Sequence, residues 1–182
     1  HHGEKSLEGA IVGLAQNYIG SNNLNILEPC GQFGTRLLGG KDAAQSRYIF
    51  TQFNKMAKII FNPDDQALYT YLDDDGVPIE PKSYCGILPM VLINGAEGIG
   101  TGFSTSIPCY NPLDLITIIN NKLDKKNYND INPWYRGFTG NIDDIEDNTF
   151  LTKGIFTTIG QDQLNITELP IGTWTEKYVE FL

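Results

Sequence analysis

Tyr48 directly follows Arg47 and leads into Ile49-Phe50-Thr51, just after a glycine-rich basic stretch. That order can set a phenol beside a guanidinium. A phenol has a pKa near ~10 and is a weak nucleophile unless positive charge favours the phenolate. Arginine supplies a fixed, always charged fork that fits phosphate oxygens. The chemistry to consider is therefore attack on a phosphodiester, with Arg47 neutralising the charge that gathers on the equatorial oxygens. The chain has nine tyrosines, and spacing alone fits a packed tyrosine better. Both readings stay open at this level.

Other chemical patterns are weaker. The acidic run Asp73-Asp74-Asp75-Gly76 lacks the Glu a calcium loop needs eleven residues after Asp73, where Tyr84 stands, so it reads as a solvated turn. The glycines of residues 94–102 suggest a dinucleotide loop, but Phe103 replaces the third glycine of the pattern and no helix opens there. Cys30, Cys85 and Cys109 are odd in number and far apart, forming neither a metal pair nor a disulfide framework, which suits a reducing setting. The sequon Asn165-Ile166-Thr167 reads as chance without a secretory signal.

The elements that position these residues follow from periodicity. Residues 7–19 repeat apolar side chains at helical spacing, with Ser6 as N-cap and Gly20 as the stop. A second element holds residues 31–36, and the glycine pair Gly39-Gly40 closes it. From Ala43 through Phe50 to Phe61 the spacing is again helical, and Pro63 ends it. Residues 67–80 read as a hairpin about Asp75-Gly76. Pro89 to Ile93 reads as a buried strand. The next helix starts at Asn111 and Pro112, with Leu113, Ile116, Ile119 and Leu123 as its stripe. Residues 138–147 and 152–168 alternate like short antiparallel strands.

The net charge of −9 argues at first against a polyanionic partner, but its distribution is uneven. Residues 1–60 hold six Lys/Arg against four Asp/Glu, while 61–182 hold seven against eighteen. A polyanion should therefore meet the first third. No apolar run approaches the ~20 residues that span a bilayer, so no membrane is expected. The opening His1-His2-Gly3-Glu4 suggests a piece of a longer protein, or the remnant of a purification tag.

Long motifs sharpen this picture. The run from Pro29 to Thr51, containing Gly31-Gln32-Phe33-Gly34-Thr35-Arg36 and Ser46-Arg47-Tyr48-Ile49-Phe50, resembles the active-site region of eukaryotic-type type IIA DNA topoisomerases. So do His1-His2-Gly3-Glu4 with Leu14-Ala15-Gln16-Asn17, the block Pro89 to Gly102, and Glu168-Leu169-Pro170-Ile171-Gly172-Thr173-Trp174-Thr175. The resemblance spans essentially the whole chain.

It implies an α+β fold: a winged-helix (helix-turn-helix) domain over residues 1–88, partial and carrying the catalytic tyrosine, followed by the start of an α/β tower domain over 89–182. By resemblance, Tyr48 forms a 5′-phosphotyrosyl link and Arg47 helps stabilise the transition state. His2 contacts the scissile phosphate region, with His1 beside it. Arg36 and Lys41 contact the DNA backbone, and Ile99 is the wedge that unstacks one base step. Asn22 and Asn23 are lesser candidates at the DNA border. The implied enzyme is a homodimer acting on double-stranded DNA. It needs Mg²⁺ and ATP, both bound by domains outside this chain, so no metal ligand is assigned here. The implied location is the nucleus, or a host-cell compartment for a large DNA virus. Two alternatives are a non-catalytic DNA-binding module and a meiotic-type cleavage protein. Retention of Arg47 with Tyr48 argues against the first, and the block at 94–102 does not fit the second.

Overall fold

The computed structural model describes residues 3–146 and 149–182. Helix α1 covers Glu4–Ala15, from Gly3 as N-cap. Ser6 lies inside its first turn and is not the cap. The helix also stops well before residue 19, because side-chain bonds claim the backbone there. Asn22 Nδ2 donates to the carbonyls of Gly13 (2.7 Å) and Gln16 (2.8 Å), and Gln16 turns extended. Those carbonyls would otherwise lack partners at the helix end.

Strand β1 (Leu27–Cys30) pairs antiparallel with β2 (Phe50–Phe53), Cys30 facing Phe50 and Leu27 facing Phe53. Between them run the glycine-rich loop and a 3-10 turn at Ser46–Tyr48. The expected long helix from Ala43 to Phe61 is therefore absent. Its apolar spacing is shared among the turn, β2 and the short helix α2 (Ala57–Ile60). Periodicity over mixed short elements imitates a helix, and the ladder to β1 decides the outcome. Pro63 opens a 3-10 helix at Pro63–Leu68, capped by the Asn62 side chain accepting from the Asp64 N–H at 3.0 Å.

The hairpin of β3 (Tyr71–Asp74) and β4 (Val77–Pro81) turns at Asp75-Gly76, close to the expected range. The run before Asn94 forms one helical turn, α3 (Met90–Ile93), not a strand. Asn94 N–H reaches Met90 O at 2.9 Å and Ile93 N–H reaches Pro89 O at 3.2 Å, closing the turn. A short apolar run cannot by itself separate a buried strand from a buried helix.

Strands β5 (Ala96–Gly100) and β6 (Phe103–Ile107) form the next hairpin. Helix α4 (Pro112–Leu123) begins as its sequence dictates, Asn111 Oδ1 accepting from Leu113 N–H at 2.9 Å with Pro112 at the first position. Two further antiparallel pairs follow, β7 (Asn141–Glu146) with β8 (Thr149–Lys153), and β9 (Ile155–Ile159) with β10 (Gln163–Glu168). Helix α5 (Thr175–Phe181) comes last. Among the described residues every sheet has two strands.

The buried apolar set is small: Ala15, Phe33, Ala57, Ile60, Ile93, Cys109 and Leu115. Polar bonds supply much of the long-range order. Asn94 exchanges both amide groups with the backbone of Leu24, at 2.9 Å each, as a strand neighbour would. Trp174 meets Tyr18 edge to face at 5.8 Å, and Glu176 N–H donates to Leu37 O at 3.1 Å. A Cβ on Gly39, whose φ is +61°, would run into the Trp174 ring.

We therefore expect Gly39→Ala to cost about 2–4 kcal/mol in denaturant unfolding, combining left-handed backbone strain with overpacking. Gly76→Ala is the control, since its φ is +85° and nothing lies within 4 Å of the added carbon. Equal costs at the two sites would show that Trp174 does not press on this loop.

Candidate nucleic-acid interface

The 3-10 turn at Ser46–Tyr48 is closed by Tyr48 N–H to Gln45 O (2.9 Å) and Ile49 N–H to Ser46 O (3.3 Å). Ile49 points back against Gly31, while Tyr48 faces out at 66% exposure. The Arg47 guanidinium carbon lies 4.7 Å from the centre of the Tyr48 ring. The structure thus brings together the two residues the sequence singled out for chemistry.

Ser46 Oγ donates to Glu8 Oε1 at 2.6 Å, and Lys5 Nζ meets Glu8 Oε2 at 3.1 Å. The Ser46 hydrogen bond, then that from Lys5, hold the Glu8 carboxyl below its ordinary pKa.

The glycine-rich loop between β1 and the turn is bound to itself. Asp42 accepts from the Thr35 backbone N–H at 2.8 Å and from its hydroxyl at 2.5 Å. The hydroxyl bond is the larger cause of the lowered Asp42 pKa. Gln16 Nε2 reaches across to Phe33 O (2.9 Å) and Gly40 O (3.3 Å). Lys41 is exposed on this loop.

Arg36 points elsewhere. Its Nη1 stands 2.5 Å from Glu168 Oε1, and Nη2 donates to Leu169 O at 2.7 Å. Glu168 Oε2 accepts from Thr139 N–H (3.0 Å) and Thr139 Oγ1 (2.8 Å). The guanidinium expected at the DNA backbone is thus engaged by a buried carboxylate, itself only 5% exposed. Asn22 and Asn23 likewise spend their amides within the fold: Asn23 is 4% exposed, with Nδ2 on Tyr110 O and Trp134 O and Oδ1 accepting from Arg136 N–H.

Ile99 stands on a separate hairpin, opposite Ser104 and close to its tip, and is 94% exposed beside an 84% exposed Phe103. His1 and His2 lie outside the described residues. Among the described residues, no cluster of three or more His, Cys, Asp or Glu is arranged to hold a metal. No helix there is long and apolar enough to cross a membrane. Nothing local in the sequence marked Glu168 as a partner of Arg36; their separation of more than a hundred positions hides the pair.

The mixed helix and strand frame that carries these residues has counterparts among known proteins. The fold matches the solved Plasmodium falciparum topoisomerase II DNA-binding, cleavage and re-ligation domain with a TM-score of 0.96 and 48% identity, covering 100% of this chain and 25% of that one. The chain is similar to DNA topoisomerase 2 of Candida albicans, 48% identical over 182 residues, and of Saccharomyces cerevisiae, 50% identical over 182 residues. Each alignment takes in 100% of this chain but only 12% and 13% of the respective relative. The model of the DNA gyrase/topoisomerase IV A-subunit family matches residues 1–182. The chain belongs to that family, and within it resembles the eukaryotic topoisomerase II enzymes.

The Arg36–Glu168 pair gives a pH-dependent expectation. Burial raises the Glu168 pKa, but bonds from Thr139 and Arg36 outweigh it, and the net shift is downward. A carboxyl lowered in the folded state contributes stability above its unfolded pKa, and that stability is lost as pH falls through the folded value. We expect Glu168→Gln to cost about 2–3 kcal/mol at pH 7. The gap to the parent should shrink below pH ~4, where the unfolded carboxyl protonates. A gap that stays constant from pH 7 to 3 in urea unfolding would show that the charge on Glu168 contributes nothing.

Proposed function

We propose that this chain is the tyrosine-bearing part of the breakage-reunion region of a type II DNA topoisomerase. The observation that carries the reading is the Arg47 guanidinium seated on the exposed Tyr48 ring. Tyr48 Oη attacks the phosphorus of a DNA phosphodiester. The bond to the 3′ oxygen breaks, that oxygen leaves as the 3′-hydroxyl of one strand, and the 5′ end becomes a phosphotyrosine. Arg47 neutralises the charge on the equatorial oxygens. The exchange keeps one phosphodiester for another, so religation is the same step reversed and needs no ATP.

In this reading residues 1–88 form most of a winged-helix domain and 89–182 begin the tower domain. His1, His2, Arg36 and Lys41 meet DNA, Arg36 through the guanidinium donors that Glu168 and Leu169 leave unused. The open-faced Ile99 hairpin suits an inserted wedge, since an aliphatic side chain placed between base steps unstacks and kinks the duplex. The partner is double-stranded DNA. The parent is a homodimer in which each protomer cuts one strand and a second duplex passes through, relaxing or decatenating DNA, in the nucleus or the host compartment of a large DNA virus. Mg²⁺ and ATP serve that whole enzyme. The described residues do not fit a metal site, so no step here is routed through one.

In the full-length parent, denaturant trapping should yield DNA covalently joined to protein. Tyr48→Phe should abolish this adduct while leaving DNA affinity within about two-fold, since only one hydroxyl is removed. An adduct in the Phe variant would sink the assignment. Separately, Ile99→Ala should reduce DNA bending measured by energy transfer between end labels, and unchanged bending would remove the wedge.

A further inference from the structure

The segment that carries Tyr48 is fixed at its two ends and sparsely held between them. At its start Ala44 N–H donates to Gln32 O at 2.9 Å, and at its end Phe50 enters the ladder opposite Cys30. Residues 45–49 close only the two turn bonds described above, and 3-10 geometry makes such bonds weak. Packing holds the turn on one side only, where Ile49 rests against Gly31. A solvent-open groove of about 120 Å³ adjoins it, lined by Glu8, Ile11, Val12, Phe33, Ser46 and Phe50 among others.

The contact that spans this gap is Ser46 Oγ to Glu8 Oε1, joining residues 38 positions apart. Glu8 is built for it. Its side chain is 24% exposed against 89% for Lys5, and its second oxygen is occupied by that lysine one turn earlier on α1. The carboxylate is thus oriented from its own helix and presents one oxygen to the turn.

We infer that Glu8 is a positioning residue for the nucleophile, acting through the Ser46 hydroxyl; the inference rests on Tyr48 being the attacking group. Attack requires the phenol oxygen in line with the leaving oxygen, and a misplacement of an ångström at a reacting centre costs on the order of 100-fold. A turn beside an open groove, tied to α1 by one charge-assisted bond, converts the loss of that bond into such a misplacement.

The test uses the full-length parent dimer, a DNA duplex, and the variants Glu8→Ala, Ser46→Ala, the double variant and Glu8→Gln. Single-turnover adduct formation should slow about 5- to 20-fold in each alanine variant, and by no more in the double, because both remove one shared contact. DNA affinity should stay within about two-fold, which separates positioning from binding. Glu8→Gln keeps an acceptor oxygen and should recover a rate within about three-fold of the parent. Hydrogen exchange of the 45–49 amides in DNA-free protein should rise in the alanine variants and not in the Gln variant.

Multiplying effects in the double variant would overturn the inference. So would faster exchange without a slower rate, or a Gln variant as slow as Ala. Failure of the nucleophile assignment itself appears differently, as an adduct surviving Tyr48→Phe, and leaves the exchange result readable.

Discussion

Asn23 carries one small amide into the interior and gives it to backbone groups of Tyr110, Trp134 and Arg136, between 87 and 113 positions away. At 4% exposure Asn23 itself has little water to turn to, so its amide depends on these three bonds. The rest of the chain needs such a device because its sheets are two-stranded among the described residues. A two-stranded ladder fixes its own register but not its place relative to another ladder, and an isolated hairpin is marginal in water. Asn94 on Leu24 and Arg36 on Glu168 repeat the solution at other points, each joining the first forty residues to the second half. Polar side chains thus do here what a continuous sheet does elsewhere.

This architecture leaves a firm frame with two lightly held projections. The frame includes the glycine-rich loop, bound by Thr35, Asp42, Gln16 and Trp174. The projections are the Tyr48 turn and the Ile99 hairpin, both largely in solvent. Charge follows the same division. The first 60 residues are net positive in a chain of net charge −9, and while Arg36 is paired with Glu168, Arg47 lies directly over the Tyr48 ring. A ligand of high negative charge would be drawn to that region and turned from the acidic remainder.

Much of this was legible in the residues. Asn111 with Pro112 announces α4, and Asp75-Gly76 announces the hairpin of β3 and β4, because capping and turn chemistry are local. Tyr48 and Arg47 were legible as a pair through the long motif around them. The failures share one cause. The end of α1 is set by Asn22 reaching back and Gln16 reaching forward; β2 is set by β1, some twenty positions earlier; and α3 is set by closure over Pro89 where an apolar run fits helix or strand alike. The Arg36–Glu168 pair was hidden for the same reason, since the partner stands on β10. Local periodicity registers neither a side-chain bond nor a ladder partner, whether it lies six positions away or more than a hundred.

The stacking of Arg47 on Tyr48 also bears on how one side chain can serve two purposes. A guanidinium that lies over a ring engages the aromatic face with its own face or edge, and its N–H donors, arranged as a planar fork, are not consumed by the π contact. A bidentate phosphate contact uses those donors in the plane of the fork. The two interactions are therefore compatible in one orientation, whereas an ion pair with a carboxylate, of the kind Arg36 makes, would occupy the donors themselves. Of two arginines eleven positions apart, one has two of its guanidinium nitrogens engaged by the fold, while the other's make no protein bond among the described residues, beside the exposed phenol. On the proposed chemistry, that difference, more than the count of basic residues, decides which arginine is available to a reacting phosphate.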